Sequence, residues 1–501
     1  MDCPFFTFAD GFHLSSFVQM YFMKLIFIVG LLAVLSHAFA QRKEGIVRKL
    51  EACACPIKVD SSFKTVCAYL VVPENRKKNN GKSIKLPFVI VESKNPLKNK
   101  DPFLYTTGGP GGSSLGWAEG VPRRSPIANR DCIAFEQRGT RFSIPQLSTD
   151  ELDIAIKESY RKNLDKDSMV IDGVKRYRRA MEAKGIDLSG YNTDESVADI
   201  DDLLTTLQID SVNLFGGSYS GGLMMAVLQK DPARVRSLVL DSPLPTFIPI
   251  DQEEPRNFIE ALDILLSRVE KDSTNKQLYG NIRNIFRQYF TSLIGKQFYL
   301  RYLEPGTTDS ISIAYTKNDL LDIIVGSMFD PSNFKNVAFL INDIASGNHE
   351  KYMLPKLDNI FSERQGPNAM RISVYCADQA AFNDLAVLEQ LYTVYPFMKG
   401  YHINNVYKAM CDCWNVPPIK KETKQQFYSA KPVLLADGLM DAACRPIYID
   451  RIHHYMPNSQ RLLFTNMAHM VGNRYFDQLI GEFLNNPFKK LISVQEDVVV
   501  Y

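Results

Sequence analysis

Val212-Asn213-Leu214-Phe215-Gly216-Gly217-Ser218-Tyr219-Ser220-Gly221-Gly222-Leu223-Met224-Met225-Ala226-Val227-Leu228 is the stretch that decides the fold. An apolar, β-prone run enters a cluster of very small residues, and a helix-compatible run leaves it. That order reads as strand, tight turn and helix, with Ser218 at the apex. A side chain in such a turn stands exposed above the sheet, in strained backbone, provided its neighbours are small enough for strand and helix to pass. The usual pattern has glycine two residues before and two after the serine. Here Gly216 holds the first place and Ser220 the second. Ser220 is itself a rival nucleophile, with Ser218 and Gly222 flanking it, but it lies further along, inside the start of the helix.

On either side of this turn, strand and helix patterns alternate. Val66–Pro73 and 86–91 read as strands joined by the turn Asn79-Asn80-Gly81. Pro102–Tyr105 runs into Gly108-Gly109-Pro110-Gly111-Gly112, and Asp131–Phe135 is a further buried strand that ends in Glu136-Gln137-Arg138-Gly139-Thr140. Thr193-Asp194-Glu195 resembles a helix cap with an acidic first turn, after which Val197, Ile200, Leu204 and Leu207 share one face. Val235–Asp241 is the next strand. The alternation then stops: residues 246–425 read as helical and irregular, and strands resume at 431–437 and 461–464. Alternating strands and helices imply a mostly parallel sheet, here interrupted by an inserted, mainly helical cap. The expected organisation is a core in 41–245, a cap in 246–425 and the rest of the core in 426–501.

A serine needs a base to accept its proton, an acid to orient the base and donors for the developing oxyanion. Among the histidines, only His469 follows a predicted terminal strand; His453 and His454 fall in a predicted helix spanning Pro446–Tyr455. The acid is expected at Asp441, a few residues past the strand at 432–436, with Asp437 as its rival. The order Ser218, Asp441, His469 is that of the α/β-hydrolase fold. The glycine run after an early strand suits an oxyanion hole. Pro110 has no N–H, so Gly109 is the expected donor, together with the N–H of Tyr219. No cofactor or metal is called for. Cys411-Asp412-Cys413 does not have the spacing of a zinc site.

These residues resemble the secreted α/β-hydrolase peptidases of the tripeptidyl and prolyl aminopeptidase group. The resemblance runs through Gly108–Gly112, Gln137–Thr140, Gly216–Tyr219, Cys376-Ala377-Asp378, Cys413-Trp414, the Gly438–Asp441 loop and Ala468-His469, so it spans most of the chain. It departs at Thr107, at Ser220, in Glu136–Arg141, and at Met470, where the group has glycine. The resemblance implies an α/β-hydrolase fold with a cap, and peptide substrates cleaved from a free N-terminus. Such an enzyme must hold a protonated amine, for which Glu253 and Glu254 are the nearest carboxylates. A carboxylesterase with the same three residues, and an inactive binding scaffold of the same fold, are the alternatives.

Composition narrows the setting. The chain has 501 residues, 45% hydrophobic and 23% charged, with net charge +2 and no basic block, so nucleic acid is not an expected partner. Met23-Lys24, the apolar run Leu25–Leu35 and Ala38-Phe39-Ala40 read as an export signal cleaved before Gln41, with residues 1–22 a spurious extension. The apolar run is shorter than the roughly 20 residues of a membrane span, so no stable membrane anchor is expected. Removing residues 1–40 takes away Cys3 and leaves eight of nine cysteines. An even number in a periplasmic or extracellular protein points to disulfides, with Cys55–Cys67, and Cys376 with Cys411 or Cys413, as the expected pairs.

Overall fold

The computed structural model describes residues 49–501 apart from Asn79, Thr274 and Pro367; the export signal expected in residues 1–40 lies outside the described residues. The sheet is built from β1 (Lys49–Ala52), β2 (Thr65–Pro73), β3 (Ser83–Val91), β4 (Phe103–Thr106), β5 (Cys132–Phe135), β6 (Val212–Gly217), β7 (Val235–Asp241), β10 (Val433–Gly438), β11 (Ser459–Phe464) and β12 (Val498–Val500). These ten strands lie in the order β1-β2-β3-β5-β4-β6-β7-β10-β11-β12. From β5 to β11 every neighbouring pair is parallel, and the outer pairs are antiparallel. β7 and β10 are adjacent although almost 200 residues separate them in sequence, so the inserted stretch leaves the sheet and returns to it beside its point of departure.

Alternation along the central strands feeds two cores. Leu104, Leu214, Leu238, Leu240, Val433 and Leu435 face one side, where helices α1 (Thr193–Thr206) and α2 (Tyr219–Lys230) pack. Phe103, Phe215, Val239, Leu434 and Ala436 face the other. The strands read as mostly apolar runs because both faces are covered.

A third core lies in the inserted stretch, under α3 (Ile250–Lys271) and several shorter helices. This stretch is not helical throughout. It contains the antiparallel hairpin β8 (Gln297–Leu303) and β9 (Ser310–Thr316), which the sequence reading did not anticipate. Later come α4 (Ala369–Asp378) and α5 (Lys408–Trp414); beyond it, α6 (Ile447–Tyr455) lies on the first core and α7 (Arg474–Asn485) on the second. Among the described residues no helix is long and apolar enough to cross a membrane.

One local expectation needs correction. The cap of α1 is Asn192, whose side chain accepts from the N–H of Glu195, and Thr193 is already helical. The two expected disulfides are present, as Cys55–Cys67 and Cys376–Cys411, and Cys53, Cys132, Cys413 and Cys444 are free thiols.

Candidate active site

Ser218 sits between β6 and α2 with φ 53° and ψ −127°, in left-handed backbone that a serine adopts only under constraint. The constraint is visible. Ser218 N–H donates to Asp241 O (3.0 Å), and its own carbonyl accepts from Gly221 and Leu244 N–H (2.9 Å each). A Cβ on Gly216 would lie 2.2 Å from Ser220 O, so the position two before the serine must be glycine. Ser220 is fully buried. Its hydroxyl donates to Thr106 O (2.9 Å) and accepts from Gly217 N–H (2.9 Å). It therefore ties the turn to β4 and is not presented to any substrate.

His469 and Asp441 come from the loops after β11 and β10. These loops are joined by Leu439 N–H donating to Phe464 O (2.9 Å) and Met440 N–H to Met467 O (3.1 Å). His469 Nδ1 lies 2.7 Å from Asp441 Oδ2. Asp441 is fully buried, and its Oδ1 accepts from Ala443 and Cys444 N–H (2.7 and 2.8 Å). Beyond His469, Ser242 and Asp241 at the end of β7 accept from Met470, Val471 and Gly472 N–H (2.9, 2.9 and 3.2 Å), which fixes the ring's approach. Burial disfavours the imidazolium, but the charge and hydrogen bond of Asp441, with Asp241 behind it, outweigh burial and hold His469 above its ordinary 6.5.

Asp437, the rival acid, is fully buried against Asp441 and does not bond His469; burial and the Asp441 charge push it well above the usual carboxylate range. Asp241 is pushed up to about 6, chiefly by burial.

Ser218, His469, Gly109, Tyr219 and Glu254 line one cavity of about 410 Å³, together with Phe329, Arg371, Cys444 and apolar side chains. The glycine loop passes directly over the turn. A Cβ on Gly108 would lie 2.8 Å from Ser218 Cβ, so only glycine permits this approach. The core holds the loop from below: Gln137 Nε2 donates to Thr107 O (2.7 Å), and Glu136 accepts from Ser114 N–H (2.8 Å) and Ser113 Oγ (3.1 Å).

Of the two candidate amine-binding carboxylates, only Glu254 reaches the cavity; its Oε1 is buried without a partner. Glu253 turns away and pairs with Arg256 and, at 3.9 Å, with Arg451, because adjacent residues on a helix point in different directions. Burial, then the neighbouring Asp251, push Glu254 well above the carboxylate range, against the N–H groups of Asn404 and Ile403 and the charge of Arg371.

Sequence reasoning missed Phe329, whose ring meets His469 edge-on at 6.0 Å. It also missed Arg371 and Cys444, both of which line the cavity with Ser218. Cys444 stands three residues after Asp441, a spacing that could have flagged it; Phe329 and Arg371 carry no local signal. A larger cavity of about 620 Å³, between Tyr160, Lys166, Asp319 and His402, contains none of the expected site residues.

Residues 395–490 match a family described as TAP-like protein. No curated protein sequence matches the chain. Among solved structures it is similar to the proline iminopeptidase of Mycobacterium smegmatis (12% identity, TM-score 0.40, covering 84% of this chain and 98% of that one). It is similar also to a serine hydrolase of Cycloclasticus zankles (14%, 0.37, 84% and 99%) and to an esterase of Thermogutta terrifontis (14%, 0.35, 84% and 99%). Residues 101–275, from β4 through the serine turn into α3, match the family described as alpha/beta hydrolase fold. With that match on a largely parallel sheet whose β6–α2 turn carries Ser218, the chain has the α/β-hydrolase fold.

Proposed function

We propose that the chain is an exported serine peptidase that cleaves short peptides from a free N-terminus. Ser218 Oγ attacks the scissile carbonyl while His469 takes its proton. Asp441 keeps the proton of His469 on Nδ1 and stabilises the imidazolium that forms. The N–H groups of Gly109 and Tyr219 receive the oxyanion. His469 then returns the proton to the leaving amine, and a water molecule activated by the same histidine hydrolyses the acyl-enzyme. The 2.7 Å contact between His469 and Asp441, and the shared cavity with Ser218, support this assignment.

The observation that carries the peptidase reading is Glu254, a buried carboxylate with an unpartnered oxygen in the same cavity as Ser218. An incoming ammonium supplies the missing partner and stabilises the ionised carboxylate. The family match over 395–490 agrees with this reading, and the two disulfides agree with export. The apolar wall of Leu244, Ile250, Phe329, Ile403 and Met470 favours a second reading, a carboxylesterase with the same three residues.

The test compares free-N-terminus peptide anilides, their N-acetylated forms and short acyl esters. Ser218→Ala is expected to abolish turnover of all. Glu254→Gln is expected to lower kcat/KM on free-N-terminus peptides at least tenfold, roughly the 1.5–3 kcal/mol of a charged hydrogen bond, and to spare esters. Equal rates on free and acetylated peptides would overturn the peptidase reading.

A further inference from the structure

Helix α4 belongs to the inserted stretch, yet one of its ends reaches the Gly109 backbone and the other, through Thr193, the side chain of Tyr219, the two residues on which the oxyanion reading depends. At its start Asn368 makes two bonds. Its Oδ1 caps the helix by accepting from Arg371 N–H (2.8 Å), and its Nδ2 donates to Gly111 O (3.0 Å). One turn in, the Arg371 guanidinium donates to Gly109 O, to Asn404 O (2.8 Å) and to Asn405 Oδ1 (3.2 Å). At the other end, the Asp378 carboxylate accepts from the Thr193 hydroxyl. That hydroxyl has spent its single proton, so the Tyr219 OH, 2.7 Å away, donates to it.

The helix between these ends is anchored on three sides. Ser373 accepts from the Trp414 indole N–H (2.8 Å), Cys376 is bridged to Cys411, and most of its side chains are buried. The glycine loop is thus held at Thr107 by the core and at Gly109 and Gly111 by α4.

We propose that α4 is the brace of the oxyanion hole: Arg371 and Asn368 are positioning residues for Gly109, and Asp378, acting through Thr193, is a positioning residue for Tyr219. This rests on the assignment of Ser218, Gly109 and Tyr219 above. Oxyanion donors work only when aligned in advance on the position the charge will occupy, and a misplacement of about 1 Å can cost about 100-fold in rate. A flexible run of glycines cannot supply that alignment alone. Here it is imposed from the inserted stretch, so turnover requires α4 to be docked.

The test uses the purified full chain carrying Arg371→Lys, Asn368→Asp or Asp378→Asn. Arg371→Lys keeps the positive charge beside Glu254 but loses the fork. Asn368→Asp keeps the helix cap but loses the N–H that holds Gly111. Two readouts are taken: kcat and KM on a p-nitrophenyl ester, and the rate of labelling by a fluorophosphonate, whose phosphoryl oxygen occupies the same hole. Labelling and kcat are expected to fall about tenfold or more in Arg371→Lys and Asn368→Asp, with KM changed less than about twofold and the thermal melt unmoved.

Labelling at the wild-type rate in both of these variants would overturn the brace. So would a raised KM at constant kcat, which would make Arg371 a substrate-binding group. If Asp378→Asn fails to fold, the two variants at the start of the helix still decide. A wild-type chain that labels but cleaves no peptide would sink the peptidase reading and leave the brace tested on the ester. A wild-type chain that does not label would remove the Ser218 assignment and the brace with it.

Discussion

His469 has two carboxylates near it, and they do different work. Asp441 bonds it directly, whereas Asp241 pins the three backbone N–H groups beyond it with help from Ser242 and contributes charge from a distance. The imidazole must be neutral to take the serine proton, and its conjugate acid is held above 6.5. Activity is therefore lost as pH falls through a value above 6.5, and the acid limb of kcat/KM is expected there. Asp241→Asn keeps an acceptor for Val471 N–H, loses the one for Gly472 N–H, and removes a charge that favours the imidazolium. The limb should move to lower pH, and only slightly, because Asp241 is the weakest of the contributors. A limb that stays put in Asp241→Asn would mean that the groove screens that charge. At this scale Ser218, Asp441 and His469 were readable from chain order and strand ends. Ser220 was not resolved from its spacing alone, because only its bonds to Thr106 and Gly217 reveal that its hydroxyl is occupied.

At the scale of elements, legibility follows burial. Strands of the parallel centre are covered on both faces, so they stand out as mostly apolar runs, interrupted at Asn213 in β6 and at Arg236-Ser237 in β7. The hairpin of β8 and β9 escaped notice because it lies half exposed, with Phe298, Leu300 and Tyr302 inward against Tyr299, Arg301 and Leu303 outward, and a helical expectation for the whole stretch masked that alternation. The choice of Cys411 over Cys413 was equally unreadable: two residues apart on α5, they face different directions, and only Cys411 meets α4. This bridge closes a loop of 35 residues. In the chain-entropy view it contributes about 4 kcal/mol, so the double variant Cys376→Ala/Cys411→Ala should lose roughly that in urea unfolding at constant m-value. A loss below about 1 kcal/mol would mean that the Trp414–Ser373 contact and the packing around it hold α4 without the bridge.

Across the whole molecule, the resemblance flagged Gln137-Arg138-Gly139-Thr140 as a motif without saying what it does. Its meaning lies in contacts between segments far apart in sequence, which no local pattern encodes. Gln137 supports the glycine loop, while Arg138 points the opposite way, into a buried ion network. Fully buried, Arg138 grips Asp199 of α1 through Nε and Nη2 (2.7 Å each) and donates to the Glu74 and Gly190 carbonyls. Arg76 completes the network through Glu195, Asp199 and Asp202 (2.6, 2.7 and 2.8 Å). The turn after β2, the segment after β5 and helix α1 are thereby joined behind the sheet. Removing one member of a buried pair leaves the other charge without compensation, which typically costs about 3–5 kcal/mol. Arg138→Met leaves Asp199 paired with Arg76, so it is expected to lower the unfolding free energy by about 3 kcal/mol, the low end of that range, in urea titration. Arg76→Met should cost less, because its side chain keeps 15% of its surface in contact with solvent. The double variant should cost more than the sum, since either arginine alone still neutralises Asp199 in the single variants. Strict additivity of the two would mean that Asp199 is not shared, and the network would then be two separate ion pairs.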